Sequence, residues 1–329
     1  MHELILLICI PRLIQITARL GIADVLSKGP QTATVIAKRV GVHPISLGRM
    51  MRALASVGVF AEGAGGRYCL TPLARTLCSD RPDSLQNWAR VANDLYIWKA
   101  FGDLHQAVET GGLPFEHVHG ASLFAYLQKH PDKEREFSQA MASLSVTNNN
   151  AVTRAYPFGR FSRLVDVGGA HGHLLATILR RFRKLKGVLY DLPQVVAAAA
   201  QSGFVSAAEV RERCETFGGD FFEAVPSGAD AYLMKYVIHD WDDEKSVRLL
   251  SNCREAMAPG GRVLVVEHVI AKGNGADLGK LMDISMMTLT GGLERTAEEF
   301  RGLLARAGLR LTRVIPTTSL LSIVEAARA

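Results

Sequence analysis

The spacing of apolar positions divides the chain near residue 103. Before that point apolar residues recur at helical intervals, with no alternation of strands and helices. Leu4 to Ile10 is a short apolar stretch bounded by Pro11 and reads as a buried helix. Pro11 to Leu26 presents one apolar face through Leu13, Ile16, Leu20 and Ala23. Thr32 to Val40 and Ile45 to Val57 predict two short helices joined by a turn at Gly41 to Pro44. Val59 to Glu62 and Arg67 to Leu70 then flank a glycine-rich hinge as two short strands. Helix-turn-helix followed by a small hairpin is the order of a winged helix.

From Arg163 the period changes. Strands are predicted at Arg163 to Val167, Gly187 to Tyr190, Val210 to Thr216, Ala231 to Lys235 and Arg262 to Glu267. Helices at Gly172 to Phe182 and Asp242 to Met257 separate some of them, so βαβ units and a mostly parallel sheet are expected. Thr296 with Glu299 makes a capping box for a helix that stops at Gly308. Leu309 to Ile315 and Leu320 to Ala326 are joined by only Pro316 to Ser319, which suits an antiparallel hairpin.

Composition agrees with two cored domains, placed at 1–103 and 104–329: the chain has 329 residues, 48% of them hydrophobic. No stretch approaches the ~20 apolar residues of a membrane span. Five cysteines without a CxxC pair argue against a disulfide framework and for a reducing, cytoplasmic setting. The net charge of +6 keeps nucleic acid in view, since residues 31–60 carry Lys38, Arg39, Arg49 and Arg52 and no acid. The second helix there, around Met50, Met51, Leu54 and Val57, is too apolar for a base-reading helix, so a scaffold is the preferred reading. The charge is also segregated: residues 220–244 hold seven acids and one Lys, and 160–186 hold seven bases and one acid.

Four segments carry candidate chemistry. In Leu164 to Gly172 a strand runs into a glycine turn and a helix, and Asp166 precedes the turn. An acid at that strand end suits a ligand with a cationic amino group and would repel a pyrophosphate. Asp191 ends the next strand about 20 residues beyond the loop, a place where an acid accepts ribose hydroxyls. Alternatively it caps the helix starting at Pro193. Gly219, Asp220 and Phe221 set a carboxylate beside an aromatic ring. Lys235 to Trp241 contains His239, which has two candidate acid partners, Glu267 and Glu294. A carboxylate on one imidazole nitrogen leaves the other free as a base and raises its basicity.

Taken with Gly21 to Leu26, Phe115 to Gly120, Phe137 to Ser145 and Gly292 to Thr296, these segments resemble class I S-adenosylmethionine-dependent O-methyltransferases of the plant caffeic-acid type, closer still to bacterial enzymes that methylate aromatic natural products. The resemblance covers nearly the whole chain. It implies a Rossmann-like α/β sheet, mostly parallel with a terminal antiparallel hairpin, behind a winged-helix dimerisation domain that roofs the acceptor site. It implies S-adenosyl-L-methionine as cofactor, converted to S-adenosyl-L-homocysteine. It carries the cofactor to Asp166, Gly168, Gly169, Gly172, Asp191, Leu192, Gly219, Asp220, Phe221, Lys235 and Trp241, with Ser145 at the methionine carboxylate. His239 matches the general base, with Glu267 and Glu294 flanking it. Trp98, Phe101, Phe137, Met141, Asp240, Met282, Met286 and Met287 match the acceptor cavity, although the three last methionines also have the spacing of plain helix core. One departure stands out. Ala170 replaces the middle glycine of the family loop, which costs ~1 kcal/mol or more if its φ is positive.

The expected reaction moves a methyl group onto a phenolic hydroxyl of a small aromatic or polyketide-type acceptor. No metal is expected, because no HExxH or Asp/Asn cluster has cation-ligand spacing. The partners expected are the acceptor and a second copy of the chain, not nucleic acid or membrane. The readings set against this one are an N-methyltransferase of an aromatic amine or heterocycle, a homologue that only binds the cofactor, and a winged-helix ligand-sensing regulator.

Overall fold

The computed structural model describes residues 1–201 and 203–329, with every side chain among them except those of residues 147 and 200. Two compact units emerge. The first comprises Met1–Asp103 and Leu123–Val146, the second Leu104–Ser122 and Thr147–Ala329. The chain therefore passes between units three times. A single boundary at 103/104 does not capture the return of Leu123–Val146 to the first unit.

In the first unit, the helices Ala33–Val40 and Pro44–Ser56 form the helix-turn-helix. Thr32 caps the former through its hydroxyl, and the turn after it is made by Gly41 at φ +73°. Strand β1 (Gln31–Thr32), not foreseen from the sequence, joins β2 (Phe60–Gly63) and β3 (Arg67–Leu70) in a three-stranded sheet ordered β1-β3-β2. Met50, Met51, Leu54, Ile36 and Phe60 close the core beneath it, while Arg49 and Arg52 stay exposed. Two expectations need correction. Pro11 to Leu26 is not one helix: Cys9–Arg19 and Ile22–Leu26 are separated by Gly21 in the left-handed region. The opening helix, His2–Leu6, is not buried either; Leu4, Ile5 and Ile8 are each more than 60% exposed, because no part of the described chain covers them.

The second unit is built on a seven-stranded sheet. Its strands are β4 (Arg163–Val167), β5 (Lys186–Asp191), β6 (Cys214–Gly218), β7 (Ala231–Lys235), β8 (Arg262–Glu267), β11 (Leu309–Pro316) and β12 (Ser322–Arg328). The two-residue segments β9 (Val269–Ile270) and β10 (Arg295–Thr296) pair with each other apart from it. The order is β11-β12-β8-β7-β4-β5-β6, parallel from β8 to β6, with β12 antiparallel to both of its neighbours. Both faces are covered, which is why the central strands read as unbroken apolar runs. Val165, Val188, Tyr232, Val263 and Val324 point into one core, and Leu164, Leu189, Leu233, Leu264 and Ile323 into the other.

The third parallel strand begins four residues later than its apolar pattern predicts. Arg211–Arg213 is a single helical turn, held where the Arg213 guanidinium donates to the carbonyls of Leu179, Leu185 and Glu209. The order of strands reverses at β4, which pairs with β5 on one side and β7 on the other. The crevice beyond the carboxyl ends of these strands is where open α/β sheets place their ligands.

Candidate active site

Three turns meet at that crevice, each at the carboxyl end of a strand. After β4 the chain folds through Gly168 at φ +67° and Gly172 at φ +76° into the helix His173–Arg181. The amides of Gly168 and Gly169 both reach the Tyr190 carbonyl, at 2.8 and 3.4 Å, and so dock the turn on β5. A Cβ on Gly172 would come within 2.4 Å of Val205 Cγ1, so a side chain is excluded there by space as well as by φ. Ala170 also lies in the left-handed region, at φ +48°, the strained alternative raised by its sequence. Its amide donates to Asp191 Oδ2 at 2.8 Å.

Asp191 ends β5 with its second oxygen accepting from its neighbour's amide, Leu192 N, at 2.7 Å. Burial raises its pKa, against the two backbone donors that favour the charge. Asp166 is 2% exposed, and its Oδ2 has no hydrogen-bond partner among the described residues. Burial pushes its pKa up to about 7, opposed by the charge of Lys235. The Lys235 ammonium donates to Asn149 Oδ1 at 2.7 Å, and burial draws its pKa down to about 8. Beyond β6, Gly219 approaches Tyr190 closely, and Asp220 Oδ1 caps the amide of Phe222. Phe221 and Trp241 pack edge to face at 6.3 Å, with Phe222 against the indole at 4.9 Å. A carboxylate at a strand end, an orphaned buried carboxylate and a glycine turn at a helix N-terminus fit a ligand that carries ribose hydroxyls, an amino group and a base.

His239 sits in the helical turn Ile238–Asp240 beyond β7 and is 7% exposed. Its Nδ1 is 2.9 Å from Glu294 Oε1, and Asp240 Oδ1 lies 3.8 Å from Nε2. Burial alone would lower its pKa. The hydrogen bond to Glu294 and the charges of Asp240 and Glu267 outweigh burial and push it up to about 9. Glu267 does not touch the imidazole. Its Oε1 accepts from the backbone amides of Val237 at 3.2 Å and His239 at 3.1 Å, so it holds the turn rather than the ring. It is fully buried, which raises its pKa to about 7.

The segment that delivers Glu294 packs against the back of the same turn. Leu293 N donates to the His239 carbonyl at 2.9 Å, and Asp283 Oδ1 accepts from Glu294 N at 2.8 Å. A Cβ on Gly292 would stand 1.8 Å from the His239 carbonyl oxygen, so only glycine fits. Arg295, 1% exposed, donates to the Trp241 carbonyl at 3.1 Å and to Asp243 at 2.8 Å. The sequence reading missed Arg295 and Asp283. A buried arginine directly after the motif glutamate was the available signal.

The second unit thus gathers His239, Asp240, Glu267 and Glu294 together, and Asp166 to Gly172, Asp191, Leu192, Gly219, Asp220, Phe221, Lys235 and Trp241 at the ends of adjoining strands. Met282, Met286 and Met287 lie half-buried on its helix Leu278–Leu289. Trp98 and Phe101 on the helix Leu95–Gly102, and Phe137, Met141 and Ser145 on Pro131–Ala155, belong to the first unit. No group of three or more His, Cys, Asp or Glu residues is placed to hold a metal ion among the described residues.

Residues 101–310 match the O-methyltransferase domain, and residues 2–80 match the O-methyltransferase dimerisation domain. The chain belongs to the O-methyltransferase family. It is 41% identical over 311 residues to the phenazine O-methyltransferase PhzM of Lysobacter antibioticus, covering 94% of this chain and 90% of that protein. The structure of CalO1, a methyltransferase of calicheamicin biosynthesis in its S-adenosylhomocysteine-bound form, superposes with a TM-score of 0.89 at 35% identity, over 97% of this chain and 94% of that one. NcsB1, an O-methyltransferase from neocarzinostatin biosynthesis in complex with S-adenosylmethionine and 2-hydroxy-5-methyl naphthoic acid, gives 0.81 at 31% identity, over 98% and 97%. The protein is an S-adenosylmethionine-dependent O-methyltransferase of the kind that acts on aromatic natural products.

Proposed function

We propose that this O-methyltransferase methylates a phenolic hydroxyl of a small aromatic acceptor, with His239 as general base. The observation that carries the reading is the buried Nδ1 contact to Glu294 at 2.9 Å. A proton on Nδ1 donated to Glu294 would leave the Nε2 lone pair of the neutral ring to take a proton from the acceptor. A phenol has a pKa near 10 and an ordinary imidazolium ~6.5, an uphill gap of about 4.8 kcal/mol. With His239 raised to about 9 the gap narrows to roughly 1 kcal/mol, and the neutral, working form of the base gains population toward alkaline pH. General-base assistance of this kind contributes ~10²–10⁴-fold.

S-adenosylmethionine, when bound, supplies a methyl group on a sulfonium, already an excellent leaving group. The chain's own work is therefore to position the acceptor and manage one proton. Asp191 would accept the ribose hydroxyls, its two oxygens oriented by the amides of Ala170 and Leu192. Asp166 would face the amino group of the methionine moiety, where its orphaned Oδ2 gains a donor. Gly168, Gly169 and Gly172 would let that moiety approach backbone, while Gly219, Asp220, Phe221 and Trp241 hold the adenine. Lys235 would stand near the cofactor, its ammonium oriented by Asn149 Oδ1. Asp240, Met282, Met286 and Met287 would line the second unit's side of the acceptor cavity, a Met-rich wall suited to flat guests. Glu267 acts through the backbone of the turn.

The functional form we propose is a cytoplasmic homodimer formed through the first unit. The exposed Leu4, Ile5 and Ile8 support it, as an uncovered apolar face that a second copy would bury. Sedimentation at micromolar concentration should give twice the chain mass of 35.8 kDa. The acceptor class is tested by incubating the enzyme and labelled cofactor with phenols, catechols, fused aromatic acids and matched aromatic amines. Label transfer to phenolic oxygen is expected. Transfer to the amines alone would replace this reading with N-methylation.

A further inference from the structure

The sharpest backbone anomaly near His239 is three residues before it. Tyr236 follows the last residue of β7 with φ at +57°, in the left-handed region that a bulky side chain rarely enters. Such strain persists only where the surroundings hold it, and it concentrates at functional sites. Several contacts hold this residue, among them the ring of His268 at 6.0 Å. The Tyr236 amide donates to the Val266 carbonyl at 3.3 Å. Its hydroxyl accepts from Asn148 Nδ2 at 3.2 Å. The Lys235 ammonium stands 5.6 Å from its ring centroid. The ring itself stacks on the His239 imidazole, with centroids 5.2 Å apart and planes inclined by 27°.

An extended residue at this position would continue the alternation of β7 and carry its side chain away from the turn. The left-handed backbone redirects it. The consequence concerns the orientation of the imidazole. Glu267 and Leu293 hold the backbone of His239, and Glu294 holds Nδ1. A single hydrogen bond fixes a point on the ring and leaves the ring plane free to tilt. A second ring stacked on its face removes that freedom.

We propose that Tyr236 is a positioning residue for methyl transfer: its left-handed backbone lays the phenol ring on the His239 imidazole and fixes the direction of the Nε2 lone pair. Asn148 Nδ2 donates to the hydroxyl at the far end of that ring, a contact separate from the stack. The proposal rests on the reading of His239 as base. It gains weight from geometry, because displacing a reacting group by about 1 Å costs on the order of 10²-fold in rate.

The test compares Tyr236→Gly, Tyr236→Phe and Asn148→Ala, with His239→Gln as control, reading kcat, KM for a phenolic acceptor and cofactor affinity by calorimetry. Glycine accepts the left-handed backbone and removes only the ring. It should lower kcat tenfold or more, with acceptor KM and cofactor affinity within threefold of the parent. Tyr236→Phe keeps the stacked ring and should hold kcat within threefold, as should Asn148→Ala. Should Tyr236→Gly lose cofactor binding, Tyr236→Leu supplies the same comparison. An unchanged kcat without the ring overturns the proposal. So does a rise in KM alone, which would make the ring an acceptor contact. Unchanged turnover in His239→Gln would instead remove the base reading, whatever the Tyr236 variants do.

Discussion

Replacing Glu294 by Gln keeps a hydrogen-bond acceptor beside His239 Nδ1 and removes its charge. The imidazolium is held at about 9 against an ordinary value of 6.5, with the Glu294 hydrogen bond the strongest influence opposing burial. The neighbouring carboxylates therefore outweigh the burial that opposes them and leave a net rise worth roughly 3 kcal/mol. The sign follows from the working form. The base is the neutral imidazole, so in the parent enzyme kcat/KM climbs with pH until His239 has lost its proton, near pH 9. In Glu294→Gln the climb should end one to two units lower (roughly), since Asp240 and Glu267 still favour the cation. Above both limbs the variant should be slower, because a weaker base pulls less on the phenol proton. The loss lies on the order of three- to a hundredfold, depending on how far the proton has moved in the transition state. The assay is kcat/KM for a phenolic acceptor from pH 6 to 10, which reports the free enzyme. A limb unmoved by the substitution, with the plateau intact, would refute the coupling of Glu294 to the base.

Two further substitutions probe the backbone around the site. Gly292→Ala would press a Cβ into the His239 carbonyl, which a backbone neighbour cannot yield to cheaply. We expect a loss of at least about a hundredfold in kcat with cofactor affinity kept, checked by steady-state kinetics and calorimetry. Ala170→Gly should relieve a left-handed alanine and stabilise the free enzyme by about 1 kcal/mol, seen as a melting temperature higher by roughly 2–4 °C. An unchanged or lower melting temperature would mean that the loop relaxes before alanine pays its steric cost.

What could be read from the sequence follows from which forces act locally. The parallel strands β5, β7 and β8 were legible because both their faces are buried, so each carries an apolar run closed by a charge. The capping box at Thr296 and Glu299 was legible because its two hydrogen bonds lie within one turn. The strand after Val210 was displaced because Arg213, reading as part of it, is drawn off to carbonyls 28 and 34 residues upstream. The exposure of Leu4 and Ile5 was not legible, since an apolar helix looks the same whether its own chain or another molecule covers it. The pairing of His239 with two acids was visible as a constellation. Spacing does not say which atom each acid meets, and only one of them reaches the ring. The left-handed Tyr236 could not be foreseen, because its residue type argues for the opposite backbone.

The most direct measurement of the central claim is single-turnover methyl transfer to a phenolic acceptor by His239→Gln, with cofactor affinity measured on the same sample. The account predicts parent-like cofactor binding and methyl transfer slowed by ~10²–10⁴-fold. Transfer at the parent rate by a variant that binds cofactor normally would contradict it.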